Sequence, residues 1–399
     1  MDRLTSHRCN FSDDYPSVAT DKSRDEAASD ANKPTPESTS EVDKEIRADR
    51  KRVVFLGRFP AQKEVGGVTT FTYGVANENK DILDSVVDFY PAQHKIVPKG
   101  VAAKFITGSL PVRILRLLLF HLKANTLFHH NYSTVRGLLP LLIFPQLWGT
   151  KWMLTLHNGD LQEAYDELGI LRRAIVRRVL KRFDVVGSIS EKQDEFYSRF
   201  SIRERYRVSP FVKAAYKEAV SSEADDDGLT TFLIAGFPTH IYRHLETIDV
   251  FRELWQSGRR FKLTVCLYGY DTDGIENQIR EAVGCCPFAT LQSHLDATEF
   301  QEVLKKSDVY VRMNAVDSYG LIVAEAITLG VTAIATDVCA RYPGTLLIGK
   351  DDFALLRHAI VSILHQEDVR EVLSVAMDDQ APVSFRSLYK FHSEYRRAG

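Results

Sequence analysis

Residues 312–326 read Arg312-Met313-Asn314-Ala315-Val316-Asp317-Ser318-Tyr319-Gly320-Leu321-Ile322-Val323-Ala324-Glu325-Ala326. The apolar run that ends at Arg312 predicts a buried strand, and the apolar pattern after Gly320 predicts a helix. Asp317 and Glu325 are eight positions apart, so both carboxylates can face one cleft. Free N–H groups at the start of the helix would form an anion site, where geometry and the helix dipole both favour a diphosphate.

Strand-like runs and helical patterns alternate on both sides of this stretch, which is typical of parallel sheets. The predicted strands are Val53–Gly57, Thr126–His129, Trp152–His157 and Asp184–Ile189 in the first half, and Thr231–Gly236, Leu263–Tyr268, Phe288–Leu291, Val309–Arg312 and Val331–Thr336 in the second. The predicted helices are Leu171–Phe183, Glu191–Phe200, Thr298–Lys306 and Tyr319–Leu329. The simplest architecture is α/β, with two Rossmann-like, doubly wound domains that face each other across a cleft.

Length and local composition predict where the domains begin and end. A chain of 399 residues exceeds the size at which one core usually stops growing. Residues 1–50 are polar and lack a hydrophobic period, which predicts a disordered tail. A second polar segment, Ser221–Gly228, precedes the renewed pattern, so we expect one domain over residues 51–217 and another from residue 218.

The composition also excludes several classes of protein. The five cysteines have neither a metal-type nor a disulfide-type spacing, which favours a reducing, cytoplasmic location. Residues 1–50 contain no apolar segment typical of a secretory signal. The longest apolar stretches, Ile114–Phe120 and Leu138–Trp148, are too short to span a bilayer. A formal net charge of -2 gives no indication of a nucleic-acid partner.

The spacing of Asp317 and Glu325 resembles family 4 glycosyltransferases, retaining enzymes of the GT-B fold whose C-terminal domain has two acidic residues separated by seven others. The resemblance implies that Asp317 contacts the transferred sugar and that Glu325 contacts the ribose hydroxyls of a nucleotide-diphosphate sugar. It also implies no metal ion and no cofactor beyond this co-substrate. The family usually has Glu where Asp317 stands, which leaves the sugar open. An ordinary acidic residue on a helix is the alternative for Glu325.

The donor diphosphate needs cations and N–H groups. The N–H groups at the start of the predicted helix make Ser318, Tyr319, Gly320 and Leu321 the candidate donor-binding residues. Family members also use an Arg and a Lys-Gly pair after the first strand of this domain, and residues 236–244 lack that pair. Arg243 and Arg312 are the candidates, and we favour Arg312 because it ends the strand beside the anion site. Structural pairing of Arg312 with Asp317 or Asp308 is the alternative.

Two segments of the first half complete the predicted site. Gly66 and Gly67, after the first strand, resemble the family's loop over the donor phosphates and the acceptor, although glycines also occur simply at the start of a helix. His157, at the end of a strand, resembles the family histidine that hydrogen-bonds the donor sugar or a phosphate. A structural role for His157 and competition from His129 or His130 are the alternatives. The resemblance further implies that residues 385–399 form a helix that returns to the first domain and closes the second at residue 384.

Two other enzymes of the same fold are alternatives. A nucleotide-sugar epimerase would need no acceptor, and a phosphorylase would need free phosphate. A catalytically silent sugar-nucleotide-binding subunit would explain the missing Lys-Gly pair. Asp271-Thr272-Asp273 matches a metal-binding motif in letters, but its position predicts a turn and helix cap.

Charge is divided unevenly along the chain. Residues 51–217 have 26 Lys and Arg against 14 Asp and Glu, and residues 218–399 have 17 against 27. Much of the excess of Lys and Arg in residues 51–217 lies in Leu110–Phe120 and Leu171–Arg182. Both segments are basic and apolar at helical spacing. Such helices are typical of membrane surfaces, although amphipathic helices also pack their apolar stripe on a sheet. We therefore expect a glycan or lipid-linked acceptor and peripheral contact with an anionic membrane surface.

Overall fold

The computed structural model of the protein describes residues 50–61, 67–90, 94–159, 161–211, 228–377 and 382–394. The predicted tail up to residue 49 and the predicted site residue Gly66 lie outside these ranges. The described residues belong to one compact unit and form two seven-stranded sheets. One sheet spans residues 52–207 and the other spans residues 231–375.

The first sheet has the strand order β3-β2-β1-β4-β5-β6-β7, and all neighbouring strands are parallel. Its strands are β1 (Arg52–Leu56), β2 (Ser85–Asp88), β3 (Ala103–Phe105), β4 (Thr126–Tyr132), β5 (Lys151–Leu156), β6 (Val185–Ser188) and β7 (Glu204–Arg207). Residues 53–56 of β1 are all buried, because helices cover both faces of the sheet.

The second sheet repeats this arrangement in the order β10-β9-β8-β11-β12-β13-β14, and only the edge pair β13–β14 is antiparallel among the described strands. Its strands are β8 (Thr231–Gly236), β9 (Lys262–Leu267), β10 (Ala289–Ser293), β11 (Val309–Arg312), β12 (Thr332–Thr336), β13 (Leu346–Ile348) and β14 (Ser374–Val375). The strand order reverses between β1 and β4 and between β8 and β11. Ligands of α/β sheets bind at the carboxyl ends of such strands.

Helices connect the strands in both halves. The first half contains α1 (Gly67–Glu78), α2 (Leu110–His121), a 3₁₀ helix (Val135–Ile143), α3 (Leu161–Asp166), α4 (Ile170–Leu180) and α5 (Glu191–Ser198). The second contains α6 (His244–Gln256), α7 (Glu276–Gly284), α8 (Ala297–Lys305), α9 (Leu321–Thr328), α10 (Phe353–Leu364) and α11 (Phe385–Ser393), with short 3₁₀ turns at His240–Tyr242 and Val369–Glu371. Among the described residues, no helix is long and apolar enough to cross a bilayer. The predicted α/β architecture of two doubly wound sheets is confirmed.

Strand β4 extends to Tyr132, three residues beyond its predicted end. All of its residues are buried, and its polar side chains have partners inside the protein. The ring nitrogens of His129 lie 2.6 Å from Tyr389 Oη and 2.9 Å from Thr155 Oγ1. The short strands β2, β3, β7, β13 and β14 were not predicted, because runs of two to four residues show no clear period.

Helix α11 packs on the first sheet, although it follows the second sheet in sequence. Phe385, Leu388 and Tyr389 are buried in one apolar cluster with residues of β1, β4 and β5. The Lys51 N–H donates a 2.8 Å hydrogen bond to the Ser393 carbonyl, just before β1. The first sheet therefore completes one face of its core with residues from the far end of the chain.

Buried histidines make the stability of this fold depend on pH. Burial lowers the pKa of His121 to about 4 and that of His129 to about 3, and it holds the pKa of His130 well below its ordinary value. These rings are neutral in the folded protein, whereas the unfolded chain protonates them near pH ~6.5. Because the unfolded state then binds more protons, stability falls as the pH falls below that value.

We predict that the free energy of unfolding decreases by about 1.4 kcal/mol for each such histidine between about pH 7.5 and pH 5.5. Urea denaturation at the two pH values measures this change. His121 stacks on Phe128 with ring centres 4.4 Å apart, so His121→Phe should keep the packing and reduce the pH dependence by roughly one proton. Equal pH dependence in His121→Phe and the parent would contradict the prediction.

Candidate functional site

A cavity of about 260 Å³ lies at the carboxyl ends of the strands, with walls from both halves of the chain. Most of the predicted site residues line this cavity. They are Gly67, His157, Arg312, Asp317, Ser318, Tyr319, Gly320, Leu321 and Glu325. Gly66 lies outside the described residues, and Arg243 does not line the cavity.

Arg243 is turned toward another part of the second half. Its backbone is left-handed, with φ 54° and ψ 39°, at the point where a 3₁₀ turn passes into α6. Its guanidinium pairs with Asp351 and lies 5.8 Å from the ring centre of Phe353, at the start of α10. Of the two arginines predicted for the diphosphate, only Arg312 is therefore at the cavity.

Gly320 sets the start of α9. Its φ of 78° is a left-handed conformation that favours glycine. A side chain there would also come within 2.5 Å of Arg341 Nη1 and 3.1 Å of Asp317 Oδ2. Helix α9 consequently begins at Leu321, and its first two residues, Leu321 and Ile322, line the cavity wall. Their N–H groups have no acceptor one turn earlier, whereas the Val323 N–H donates a 2.9 Å bond to the Gly320 carbonyl. Glu325 is on the second turn and is buried.

Asp317 lies between two buried arginines. Its Oδ2 accepts hydrogen bonds of 2.6 Å from Arg312 Nε and 2.6 Å from Arg341 Nη1, and its Oδ1 accepts one of 3.0 Å from the Ser318 N–H. Burial alone would raise the pKa of Asp317, but the charges of Arg312 and Arg341 outweigh it and hold the pKa well below its usual range. We call these three residues the Arg-Asp-Arg cluster. Its two cations and one anion leave one net positive charge.

The pairing of Arg312 with Asp317, left open by the sequence, is present in the structure. Arg312 also donates a 3.3 Å hydrogen bond to Tyr310 Oη, and its guanidinium carbon lies 5.2 Å from the ring centre of Tyr242. Asp308 is engaged elsewhere, since its Oδ2 accepts a 2.7 Å bond from the Thr231 N–H. Arg312 and Asp317 line the cavity, and Arg312 is the arginine of the cluster that does so.

Arg341 was not predicted from the sequence. This residue follows β12, and its side chain is fully buried. Arg341 donates to the Thr336 carbonyl at 2.8 Å, to the Tyr319 carbonyl at 3.0 Å and to Thr336 Oγ1 at 3.2 Å, besides Asp317. It thereby ties the loop after β12 to the loop before α9. The only signal in the sequence was its position a few residues after β12. That strand is the neighbour of β11, which ends at Arg312.

A chain of hydrogen bonds fixes the tautomer of His157. Thr72 Oγ1 donates to the Val68 carbonyl at 3.0 Å, and Asn131 Nδ2 donates to Thr72 Oγ1 at 3.2 Å. Asn131 Oδ1 is then the acceptor, 2.7 Å from His157 Nε2, which must hold the proton. Burial lowers the pKa of His157 to about 3, so the ring is neutral and its Nδ1 is an acceptor. His129, in contrast, is bonded within the core and is not part of the cavity wall.

The two halves of the chain approach closely at the cavity, and at Gly159 the contact leaves no room for a side chain. A Cβ added at Gly159 would lie 2.7 Å from the Asp317 carbonyl oxygen and 3.1 Å from the Ser318 nitrogen. A Cβ added at Gly67 would lie 3.5 Å from Leu321 Cδ1. The loop after β5 and the start of α1 therefore pack against the loop that holds Asp317 and the start of α9.

The carboxylates that the structure describes near the cavity do not form a cage for a cation. Within the described ranges, no group of three or more His, Cys, Asp or Glu residues could hold a metal ion. Asp271 caps the start of α7, as predicted, whereas Asp273 bonds to the 3₁₀ turn after β8. Asp271 accepts bonds of 3.0 Å and 3.2 Å from the Ile275 and Glu276 N–H groups, and Asp273 accepts one of 2.8 Å from the His240 N–H.

No protein-family model and no curated protein sequence matches the chain. Among solved structures, TarM is similar with a TM-score of 0.62 and 9% identity, over 80% of this chain and 93% of TarM. HepE from Anabaena in complex with UDP-glucose has a TM-score of 0.60 and 12% identity, over 86% and 96%. The lipopolysaccharide outer core galactosyltransferase WaaB has a TM-score of 0.52 and 12% identity, over 86% and 94%. These similarities show that the chain has the GT-B fold, with two Rossmann-like halves around the cavity.

Proposed function

We propose that this protein is a glycosyltransferase that moves a hexosyl group from a nucleotide-diphosphate sugar to a glycan or lipid-linked acceptor. The Arg-Asp-Arg cluster is the observation that carries the proposal, because it places a net positive charge at the start of α9, one turn before Glu325. HepE has been crystallised with UDP-glucose and with UDP and glucose, and WaaB is a galactosyltransferase. These complexes support a nucleotide-sugar donor for the same fold here.

In this proposal the donor diphosphate lies at the start of α9. The free N–H groups of that helix and its dipole favour an anion. Arg312 adds a full positive charge at the cavity wall, and Arg341 balances Asp317 so that this charge is not cancelled. Gly67, at the start of α1, lines the same cavity from the first half.

The carboxylates and the histidine would hold the hydroxyl groups of the donor. Glu325 accepts from the ribose hydroxyls. Asp317 Oδ1 accepts one bond from the Ser318 N–H, and a carboxylate oxygen has room for a second, from a sugar hydroxyl. The acceptor nitrogen Nδ1 of neutral His157 receives another sugar hydroxyl. The Arg-Asp-Arg cluster thus makes Asp317 a positioning residue as well as a contact for the sugar.

Transfer then proceeds with retention. The bond between the anomeric carbon and the diphosphate oxygen breaks, and the acceptor oxygen bonds to the same face of that carbon. The acceptor proton passes to an oxygen of the leaving diphosphate. Negative charge grows on the diphosphate in the transition state, so Arg312 and the helix N–H groups stabilise that state more than the ground state. These groups take the role that a metal ion has in other transferases.

The division of charge supports an acceptor at an anionic surface. Residues 51–217 have an excess of Lys and Arg, and residues 218–399 have an excess of Asp and Glu. We propose that the first half faces a lipid-linked or otherwise anionic acceptor, and that the protein works as a peripheral protein at the cytoplasmic face of a membrane.

Glu325→Gln should weaken binding of both a nucleoside and its diphosphate by about tenfold or more, because a charged acceptor of the ribose hydroxyls is lost. Screening UDP, GDP and ADP by thermal shift identifies the nucleotide, and calorimetry then measures both affinities. Glu281→Gln, an exposed change on α7, is the matched control and should have no effect. Unchanged affinity in Glu325→Gln would remove the assignment of Glu325 to the ribose.

Arg312→Met should weaken binding of the nucleoside diphosphate by roughly 10- to 100-fold and leave binding of the nucleoside unchanged, because Arg312 is assigned to the phosphates alone. Arg312→Lys, which keeps the charge and some contact with Asp317, should recover part of the affinity. The same calorimetric titrations give both values. If Arg312→Met and Arg312→Lys unfold at lower temperature but bind both ligands normally, Arg312 is a structural partner of Asp317 only.

Donor hydrolysis and transfer should persist in EDTA, since Arg312 and the helix N–H groups supply the stabilising charge. Release of the nucleoside diphosphate, measured with and without EDTA, tests this. Loss of turnover on chelation and its return with Mg²⁺ would refute metal independence. Donor binding without any hydrolysis or transfer would instead indicate a silent binding subunit.

A further inference from the structure

The outer side of α2 is apolar and exposed. The helix buries Leu117 and His121 toward the first sheet. On its opposite side, apolar residues recur at spacings of three and four, which forms a second stripe along the helix. The residues of this outer stripe are Val112, Leu115, Leu119 and Leu122, with exposures of 40%, 56%, 54% and 51%. An amphipathic helix that only packs on a sheet has one such stripe, and α2 has two.

The elements beside α2 also expose large apolar side chains. His121 contacts Phe144, just after the 3₁₀ helix Val135–Ile143, with ring centres 4.7 Å apart. Arg182, after α4, donates a 2.8 Å bond to the Leu141 carbonyl of the same 3₁₀ helix. We call α2, the segment from this 3₁₀ helix to Trp148, and α4 the outer layer. Its further exposed apolar residues are Ile143 (63%), Trp148 (85%), Ile170 (81%) and Leu171 (75%).

The helices of the outer layer carry positive charges, and the carboxylate of Glu167, just before α4, pairs with Arg136 of the 3₁₀ helix at 4.0 Å. Helix α2, the 3₁₀ helix and α4 contain no Asp or Glu. Arg116 on α2 and Arg172, Arg177 and Arg178 on α4 are exposed. Lys104 Nζ and Lys123 Nζ lie 5.6 Å and 3.9 Å from the ring centre of Phe120, so these lysines flank α2. Apolar stripes and cations therefore share one surface.

We infer that the outer layer docks on a bilayer that contains anionic phospholipid, with the outer stripe of α2 inserted at the boundary of headgroups and acyl chains. An interfacial helix has this combination of apolar residues and flanking cations. The inference deepens the proposed function by placing the acceptor at a bilayer, while the docking itself is measured without any transfer.

A second copy of the chain fits this surface poorly. In a symmetric dimer the same surface patch faces itself. Arg116, Lys123 and the arginines of α4 would then meet their own counterparts, and the helices of the outer layer offer no carboxylate to neutralise them. Phosphate headgroups supply the missing anions, and acyl chains cover the leucines.

The outer layer reaches the edge of the sheet where the cavity lies. Because every strand pair of the first sheet is parallel, a helix that follows a strand begins at the carboxyl edge. Helix α2 follows β3, so its first residue, Leu110, lies at the same edge as the cavity. A docked bilayer would therefore lie beside the opening of the site, within reach of an acceptor held in that bilayer.

Flotation of the full chain with vesicles tests the inference. We expect binding to phosphatidylcholine vesicles that contain phosphatidylglycerol, no binding to phosphatidylcholine alone, and weaker binding as salt increases. Leu115→Ser with Leu119→Ser keeps every charge and should weaken binding by about tenfold or more. Arg172→Gln with Arg177→Gln should also weaken it and reduce its dependence on salt.

Two controls distinguish binding through this surface from nonspecific adsorption to vesicles. Tyr270→Ser with Met377→Ser removes side chains that are 84% and 79% exposed in the second half, and should not change vesicle binding. Trp148 emission should shift to the blue on anionic vesicles, and Trp148→Phe should abolish the shift.

Three results would overturn the inference. The first is no vesicle binding at low salt. The second is that the control pair Tyr270→Ser with Met377→Ser loses as much vesicle binding as the leucine variant. The third is that light scattering shows the parent protein as a dimer and Leu115→Ser with Leu119→Ser as a monomer. Donor affinity of the leucine variant, measured without vesicles, should equal that of the parent. That measurement tests the proposed function separately.

Discussion

The site is organised by a carboxylate buried between two guanidinium groups. Asp317 accepts from Arg312 at the end of β11 and from Arg341 after β12, so one side chain joins two loops of the second sheet. Gly320 provides the room and the left-handed backbone that this contact needs. Removing one partner from such a buried pair typically costs about 3–5 kcal/mol, because a charge is left without compensation. The position of α9, and with it Glu325, depends on this arrangement.

The first half contributes through neutral hydrogen bonds and close packing. A chain of hydrogen bonds runs from the Val68 carbonyl through Thr72 and Asn131 to His157. Each bond in the chain sets which atom donates in the next one. Such a chain orients a histidine without any charge, and it fixes the His157 ring at the cavity wall. Gly159 lets the loop after β5 touch the Asp317 loop. The cavity is therefore defined by contacts between both halves.

Sequence was informative where burial produces a periodic pattern. The long parallel strands and the strand–loop–helix unit around Asp317 follow from their apolar runs. Arg341 could not be found in this way, because it lies in a loop without a period and its partner Asp317 is 24 positions away. Arg243 was predicted at the site because of its position in the sequence. It is near Gly236 in sequence, but its left-handed backbone directs it to Asp351. The second apolar stripe of α2 was hidden because spacing alone cannot show which side a helix buries.

Helix α11 has a consequence for biosynthesis. Phe385, Leu388 and Tyr389 cover apolar residues of β1, β4 and β5, which the ribosome synthesises first. During translation, one face of the first sheet stays open until nearly the whole second half has emerged. N-terminal domains usually fold first, and exposed apolar faces of incomplete domains are prone to aggregate. A nascent chain of this protein would thus need chaperone protection longer than one in which each domain completes its own core.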